Sequence, residues 1–110
     1  MGVSCVLLYV KDLAGMTAFY RDAVGLAVVS ETETWVELDG GGVKLGLHAI
    51  PAHIAEGIEI GEVREETPYK LIFDGEREKV LAHGGRVMER PWGGVDGVDP
   101  EGNIFGLLVG

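Results

Sequence analysis

Glu37, Lys44 and His48 place an acid, a cation and an imidazole on two short, strand-like stretches joined by a glycine-rich turn. Side chains on a strand alternate between its faces. Lys44, Gly46 and His48 therefore share one face of their strand, and Trp35 and Glu37 share the matching face across the turn. In the first apolar run, Cys5, Leu7 and Tyr9 alternate in the same way. If these faces meet, they surround one space with an acid, a base and aromatic walls. His48 is then the leading proton-transfer candidate, because an imidazole titrates near neutrality, and Glu37 is its partner. The same residues also have a structural reading. Glu37 and Lys44 can be a cross-strand ion pair worth a few tenths of a kcal/mol, roughly, with His48 at a strand end.

Other reactive side chains carry weaker signals. Cys5 sits in an apolar run, and a catalytic thiol there would need a base and a lowered pKa; a small buried hydrophobe is the alternative. Trp92 follows Pro91 and precedes Gly93-Gly94, so it lies in a loop. It can stack on a flat ligand or cover core. His53 and His83 read as surface or helix-end residues. Gly40-Gly41-Gly42 and Gly93-Gly94 do not precede helices, which excludes them as phosphate cradles.

The elements that must position these groups follow from periodicity and turn residues. Residues 3–10 read as a strand. Asp12 can cap a helix whose apolar stripe is Leu13, Met16, Phe19, Tyr20 and Val24, with Gly25 as its stop. Residues 26–30 form a second strand, and 34–38 with 43–48 form a hairpin around Asp39-Gly40-Gly41-Gly42. Residues 49–66 read as a connector. The order then repeats: a strand over 68–73, a helix over 76–83 stopped by Gly84-Gly85, a strand over 86–89, and a hairpin around Asp99-Pro100-Glu101-Gly102-Asn103 closing with 104–109. Gly25 and Gly85, Asp39 and Asp99, Gly42 and Gly102, Gly46 and Gly106, and Leu47 and Leu107 match at one constant offset, which points to an internal duplication.

The chain has 110 residues, enough for one α+β domain with one core. The expected division is a first module over 3–48, the connector over 49–66 and a second module over 67–110. A single cysteine rules out an internal disulfide. The net charge of −9 and scattered basic residues argue against nucleic acid and anionic membrane surfaces as partners. No signal-like segment or membrane-length apolar run is present, so the expected location is cytoplasmic.

Val10-Lys11-Asp12-Leu13 with Phe19-Tyr20-Arg21-Asp22-Ala23-Val24-Gly25-Leu26 resembles the first module of the vicinal oxygen chelate superfamily (glyoxalase/bleomycin resistance protein/dioxygenase-like). So does Trp35-Val36-Glu37-Leu38 with Gly42-Val43-Lys44-Leu45-Gly46-Leu47-His48. Asp99-Pro100-Glu101-Gly102-Asn103-Ile104-Phe105-Gly106-Leu107 is similar to the family's closing hairpin and last strand. The resemblance implies two βαβββ modules forming curved half-barrels that make a cup, often in a homodimer. It also implies a divalent metal held by a His on the first strand and a Glu on the last strand of each module.

Carried over position by position, those ligands fall at or next to Cys5, on Gly46, within Thr67 to Tyr69, and on Gly106. None is a His or a carboxylate, and a metal site needs several such donors. The expectation is therefore a protein without metal or other cofactor, binding a small, largely apolar or aromatic molecule. Its ligand-binding candidates are Cys5, Tyr9, Trp35, Glu37, Lys44, Gly46, His48, Trp92 and Gly106, over a floor widened by the two glycines. A cofactor-free isomerase or lyase using His48 and Glu37 is the alternative, as is a metal-dependent glyoxalase- or dioxygenase-type enzyme should the strand register differ. In the second module that register leaves open whether Lys70 and Ile72, or Tyr69 and Leu71, face the cup.

Overall fold

Asp12 opens the first helix in the way its side chain allows: its Oδ1 accepts a 2.9 Å hydrogen bond from the Gly15 amide, satisfying a free donor of the first turn. In the computed structural model, which describes residues 1–109, this helix, α1, spans Leu13–Asp22. Gly110, the expected last residue of the second module, lies outside the described residues. Met16, Phe19 and Tyr20 of the apolar stripe are buried, and Leu13 and Val24 pack against the same core. Gly25 ends the segment with a φ of 86°, a left-handed conformation that glycine adopts without a Cβ clash.

Four strands and α1 make the first module: β1 (Cys5–Val10), β2 (Val28–Glu31), β3 (Trp35–Asp39) and β4 (Lys44–Ala49). They pair in the order β1-β4-β3-β2, with β1 parallel to β4 and the other pairs antiparallel. After a short helix α2 (Ala52–Ala55), the second module repeats the order with β5 (Ile72–Asp74), α3 (Arg77–Ala82), β6 (Arg86–Glu89), β7 (Val95–Val98) and β8 (Ile104–Leu108). Its sheet runs β5-β8-β7-β6, again with the first and last strands parallel. The fold is α+β, built from two βαβββ modules.

Several element limits differ from the sequence reading. The second strand starts at Val28 rather than residue 26, because the Leu26 amide still bonds back to the Tyr20 carbonyl at 3.0 Å. The strand expected over 68–73 shortens to Ile72–Asp74. Pro68 has no N–H to donate, and the first link to β8 is the Gly106 amide on the Leu71 carbonyl, 2.7 Å. The connector contains α2, and Arg64 bridges to Asn103. Gly25 and Gly85 also do different work. The left-handed stop after α3 is Gly84, at φ 88°. Gly85 is instead a packing glycine, since a Cβ there would lie 2.7 Å from Val80 Cγ1 and 2.8 Å from Phe19 Cε1.

The core lies on the faces of the two sheets that carry Val36, Leu38, Leu45 and Leu47 on one side and Phe105 and Leu107 on the other, and α1 joins them. Phe19 and Tyr20 contact Phe105, and Tyr20 contacts Phe73, with ring centroids 6.0–6.3 Å apart. Each large apolar side chain buried there stabilises the fold by about 1.5–3 kcal/mol. Polar pins tie the closing hairpin to α1. The Glu101 carboxylate accepts from the Lys11 and Asp12 amides at 2.9–3.0 Å. No helix among the described residues is long and apolar enough to cross a membrane.

Candidate functional site

With Val36, Leu38, Leu45 and Leu47 committed to the core, alternation turns Trp35, Glu37, Lys44, Gly46 and His48 to the opposite face of the first sheet. Cys5, Leu7 and Tyr9 join them, since Val6, Leu8 and Val10 pack inward. Strand register then arranges these residues in rows. Tyr9, His48 and Trp35 are direct cross-strand neighbours, as are Leu7, Gly46 and Glu37.

The first row is an aromatic ladder. The His48 ring centroid lies 5.6 Å from those of both Tyr9 and Trp35, edge-on to the indole. His48 Nδ1 sits 2.9 Å from the Ala49 carbonyl. A carbonyl can only accept, so Nδ1 carries a proton, and in the neutral ring it is Nε2 that keeps the lone pair. In the second row, Glu37 takes a 3.1 Å hydrogen bond from the Trp35 indole and a 3.2 Å ion pair from Lys44. The Lys44 ammonium, and then the Trp35 indole, hold the Glu37 carboxyl below its usual range. Among the described residues no hydrogen bond links Glu37 to His48.

The floor is not widened at the glycines as the sequence suggested. A Cβ on Gly46 would already be 3.0 Å from Cys5 Sγ, 3.2 Å from Leu7 Cδ1 and 3.3 Å from Trp35 Cζ2. At Gly106 the Ile72 Cγ1 stands 3.0 Å from the same point. Neighbouring side chains lean into each gap, because close packing disfavours a void of methyl size. The space over each glycine is therefore filled, beside the Glu37–Lys44 and Asp96–Lys70 ion pairs.

The second sheet repeats this pattern with different polar groups. Ile72, Gly106 and Asp96 are cross-strand neighbours, matching Leu7, Gly46 and Glu37. Lys70 and Ile72 take the exposed face, while Leu71 and Phe73 pack on the core, which resolves the register. The position equivalent to Cys5 is therefore Lys70, not a residue within Thr67 to Tyr69. Lys70 Nζ donates to both Asp96 oxygens at 3.0 and 3.1 Å, and Arg90 Nε donates to Asp96 Oδ2 at 2.8 Å. Burial alone would push the Asp96 carboxyl up, but the hydrogen bonds from Arg90 and Lys70 outweigh it and hold the group below its usual range.

Sequence reasoning missed this cluster. The available signal was an aspartate inside an apolar strand, Val95–Val98, since a buried carboxylate requires partners. Trp92, singled out from the sequence, is 74% exposed with the Arg90 guanidinium 5.7 Å from its ring, so it does not cover core. Cys5 and Gly46 adjoin one another, whereas Trp92 and Gly106 belong to the second sheet.

These donors do not suit a divalent cation. The four positions where the resemblance puts metal ligands hold a thiol, two glycines and an ammonium. The nearby carboxylates Glu37 and Asp96 are each occupied by a lysine. Among the described residues, no three His, Cys, Asp or Glu side chains come together as a metal site.

Comparison with solved structures places the whole chain in one fold. The fosfomycin resistance protein FosX from Listeria monocytogenes superposes with a TM-score of 0.73 at 20% identity, covering 100% of this chain and 93% of its own. A glyoxalase/bleomycin resistance protein/dioxygenase family enzyme from Burkholderia phytofirmans PsJN gives 0.69 at 23% identity, covering 96% of both chains. A glyoxalase-related enzyme from Fulvimarina pelagi gives 0.69 at 20%, covering 99% of this chain and 88% of its own. No curated protein matches by sequence. The sequence profile of the Glyoxalase/Bleomycin resistance protein/Dioxygenase superfamily matches residues 2–106, and the chain belongs to that superfamily.

Proposed function

We propose that this protein binds a small, largely apolar or aromatic molecule without a metal, on the sheet face that carries Tyr9, Trp35 and His48. The observation that carries this reading is the cross-strand ladder of those three rings, on a face where, among the described residues, no three metal-donor side chains converge. An aromatic wall with a few fixed polar groups is the usual character of a small-molecule site. Lys44 and Glu37 supply the polar corner and orient the ligand.

The acid–base alternative is less well supported. Glu37 is engaged by Lys44 and Trp35 and held in its ionised form, which makes it a weak base and a poor acid at neutral pH. His48 retains a free Nε2, so a proton-transfer role would rest on His48 alone.

The reading includes a homodimer. Tyr9, Ile72 and Leu108 are 60–62% exposed on the sheet faces turned away from the core, and a second copy of the chain would cover them.

The test is titration of the purified, untagged protein with the neutral fluorophore N-phenyl-1-naphthylamine, alongside elemental analysis. Saturable binding that weakens in Trp35→Ala and Tyr9→Ala, with no stoichiometric metal, is the expected result. Stoichiometric zinc, iron, manganese or nickel, with activity lost on chelation, would overturn it.

A further inference from the structure

A polar cavity lies on the second sheet. It has a volume of about 380 Å³ and is lined by Tyr69, Lys70, Arg90, Trp92 and Glu65, among others. Its cations are not equally committed. Lys70 and Arg90 Nε meet Asp96 at 2.8–3.1 Å, the length of strong charge-assisted hydrogen bonds. The two terminal nitrogens of Arg90 reach the two Glu65 oxygens only at 3.4 Å each, well beyond that length. Glu65 is a half-exposed residue of the connector, whereas Arg90 is only 16% exposed. The guanidinium is thus fixed by Asp96 on one side and offers a two-pronged donor to the cavity on the other. A half-exposed carboxylate fills that donor loosely.

Aromatic surface beside it is exposed to solvent. Trp92 and Tyr69 are 74% and 66% exposed, and Arg90 lies over the Trp92 ring. A flat group could stack on the indole while its carboxylate takes the Arg90 prongs. Charge supports the same exchange. Lys70 and Arg90 outnumber Asp96, and Glu65 supplies the balancing negative charge that a ligand carboxylate would replace.

We propose that this cavity binds an aromatic monocarboxylate through Arg90 and Trp92, and that Glu65 is the chain's own occupant of the anion position, displaced on binding. The proposal goes beyond the small-molecule reading above: it adds a separate site, on the second sheet, with its own ligand class.

The probes are 2-naphthoate, its neutral counterpart 2-naphthamide, and N-phenyl-1-naphthylamine, titrated by calorimetry into the wild-type chain, Glu65→Gln and Trp92→Phe. Folding of each variant is checked by circular dichroism. Glu65 is half-exposed and holds Arg90 only at 3.4 Å, so Glu65→Gln should tighten 2-naphthoate by about two- to fivefold and leave 2-naphthamide unchanged. Trp92→Phe should weaken 2-naphthoate. Equal affinity for 2-naphthoate and 2-naphthamide in all three proteins, or no response of 2-naphthoate to Glu65→Gln, would overturn the anion site. If N-phenyl-1-naphthylamine still binds in that case, the broader reading survives; if no probe binds, both fall.

Discussion

The Tyr20 hydroxyl donates a buried 2.7 Å hydrogen bond to Asp99 Oδ2, linking the helix of the first module to the closing turn of the second. The other Asp99 oxygen accepts from the Glu101 and Asn103 amides at 2.9–3.0 Å, so this carboxylate organises the turn while holding the helix. Burial raises the Tyr20 phenol well above its usual value, and the adjacent Asp99 charge adds to the effect. Tyr20→Phe should keep the ring packing and lose only the bond to a charged acceptor. The expected destabilisation is about 1.5–3 kcal/mol by urea unfolding, and a neutral result would show that the hydroxyl contributes nothing to joining the modules.

Gly97 in β7 and Gly46 in β4, one in each sheet, should respond to a single methyl with different severity. At Gly97 a Cβ would overlap the buried Phe105 ring, which cannot yield without disturbing the core. Gly97→Ala should cost about 3 kcal/mol or more. At Gly46 the neighbours are the ends of Cys5, Leu7 and Trp35 at 3.0–3.3 Å, and these can shift. Gly46→Ala should cost roughly 1 kcal/mol while reshaping the ladder face, read as altered N-phenyl-1-naphthylamine affinity. Thermal unfolding of both variants provides the comparison.

Asp96 and Asp99 should bend the stability–pH curve in opposite directions. The folded-state value of Asp96 lies below its ordinary 3.8, so its contribution is present above 3.8 and lost as pH falls through the lower folded value. Asp99 is raised, by burial first, against the hydrogen bonds that favour its charge. Its contribution is present below its ordinary 3.8 and lost as pH rises through the higher folded value. Asp96→Asn should therefore be less stable than wild type at pH 7 and show a weaker loss on acidification towards about pH 3. Urea midpoints across that range measure it; parallel curves for the two proteins would contradict the assignment.

Sedimentation should find twice the 11.8 kDa chain mass at micromolar concentration. Ile72→Glu places a charge on the exposed apolar face and should shift the protein to monomer without unfolding it. A wild-type monomer would remove the dimer from the proposed function.

Strand alternation made the first sheet's face readable from sequence. Parity grouped Lys44, Gly46 and His48 with Trp35 and Glu37, and the structure buries the alternate residues Val36, Leu38, Leu45 and Leu47 on the other side. The Asp12 cap and the Gly25 stop were equally local. The second module resisted because its first strand has only three residues, preceded by Pro68, so no alternation fixed Lys70. The Glu65, Lys70, Arg90 and Asp96 cluster joins a connector, a strand approach and a hairpin, and no periodic signal spans those segments. The Gly84-Gly85 pair marked a helix end correctly, but which glycine turns and which packs depends on Phe19, far away in sequence.

The carboxylates Glu37 and Asp96 occupy equivalent places opposite Gly46 and Gly106, yet their lysines do not: Lys44 comes from the last strand of its sheet and Lys70 from the approach to the first. Superposing one module on the other would bring the negative charges into coincidence and set Lys70 on Cys5, the cross-strand neighbour of Lys44, while Arg90, the second cation on Asp96, has no counterpart at Glu37. The pseudo-twofold of the backbone is therefore broken electrostatically. A molecule spanning both faces would meet a polarised, handed surface, and its two ends would not be interchangeable.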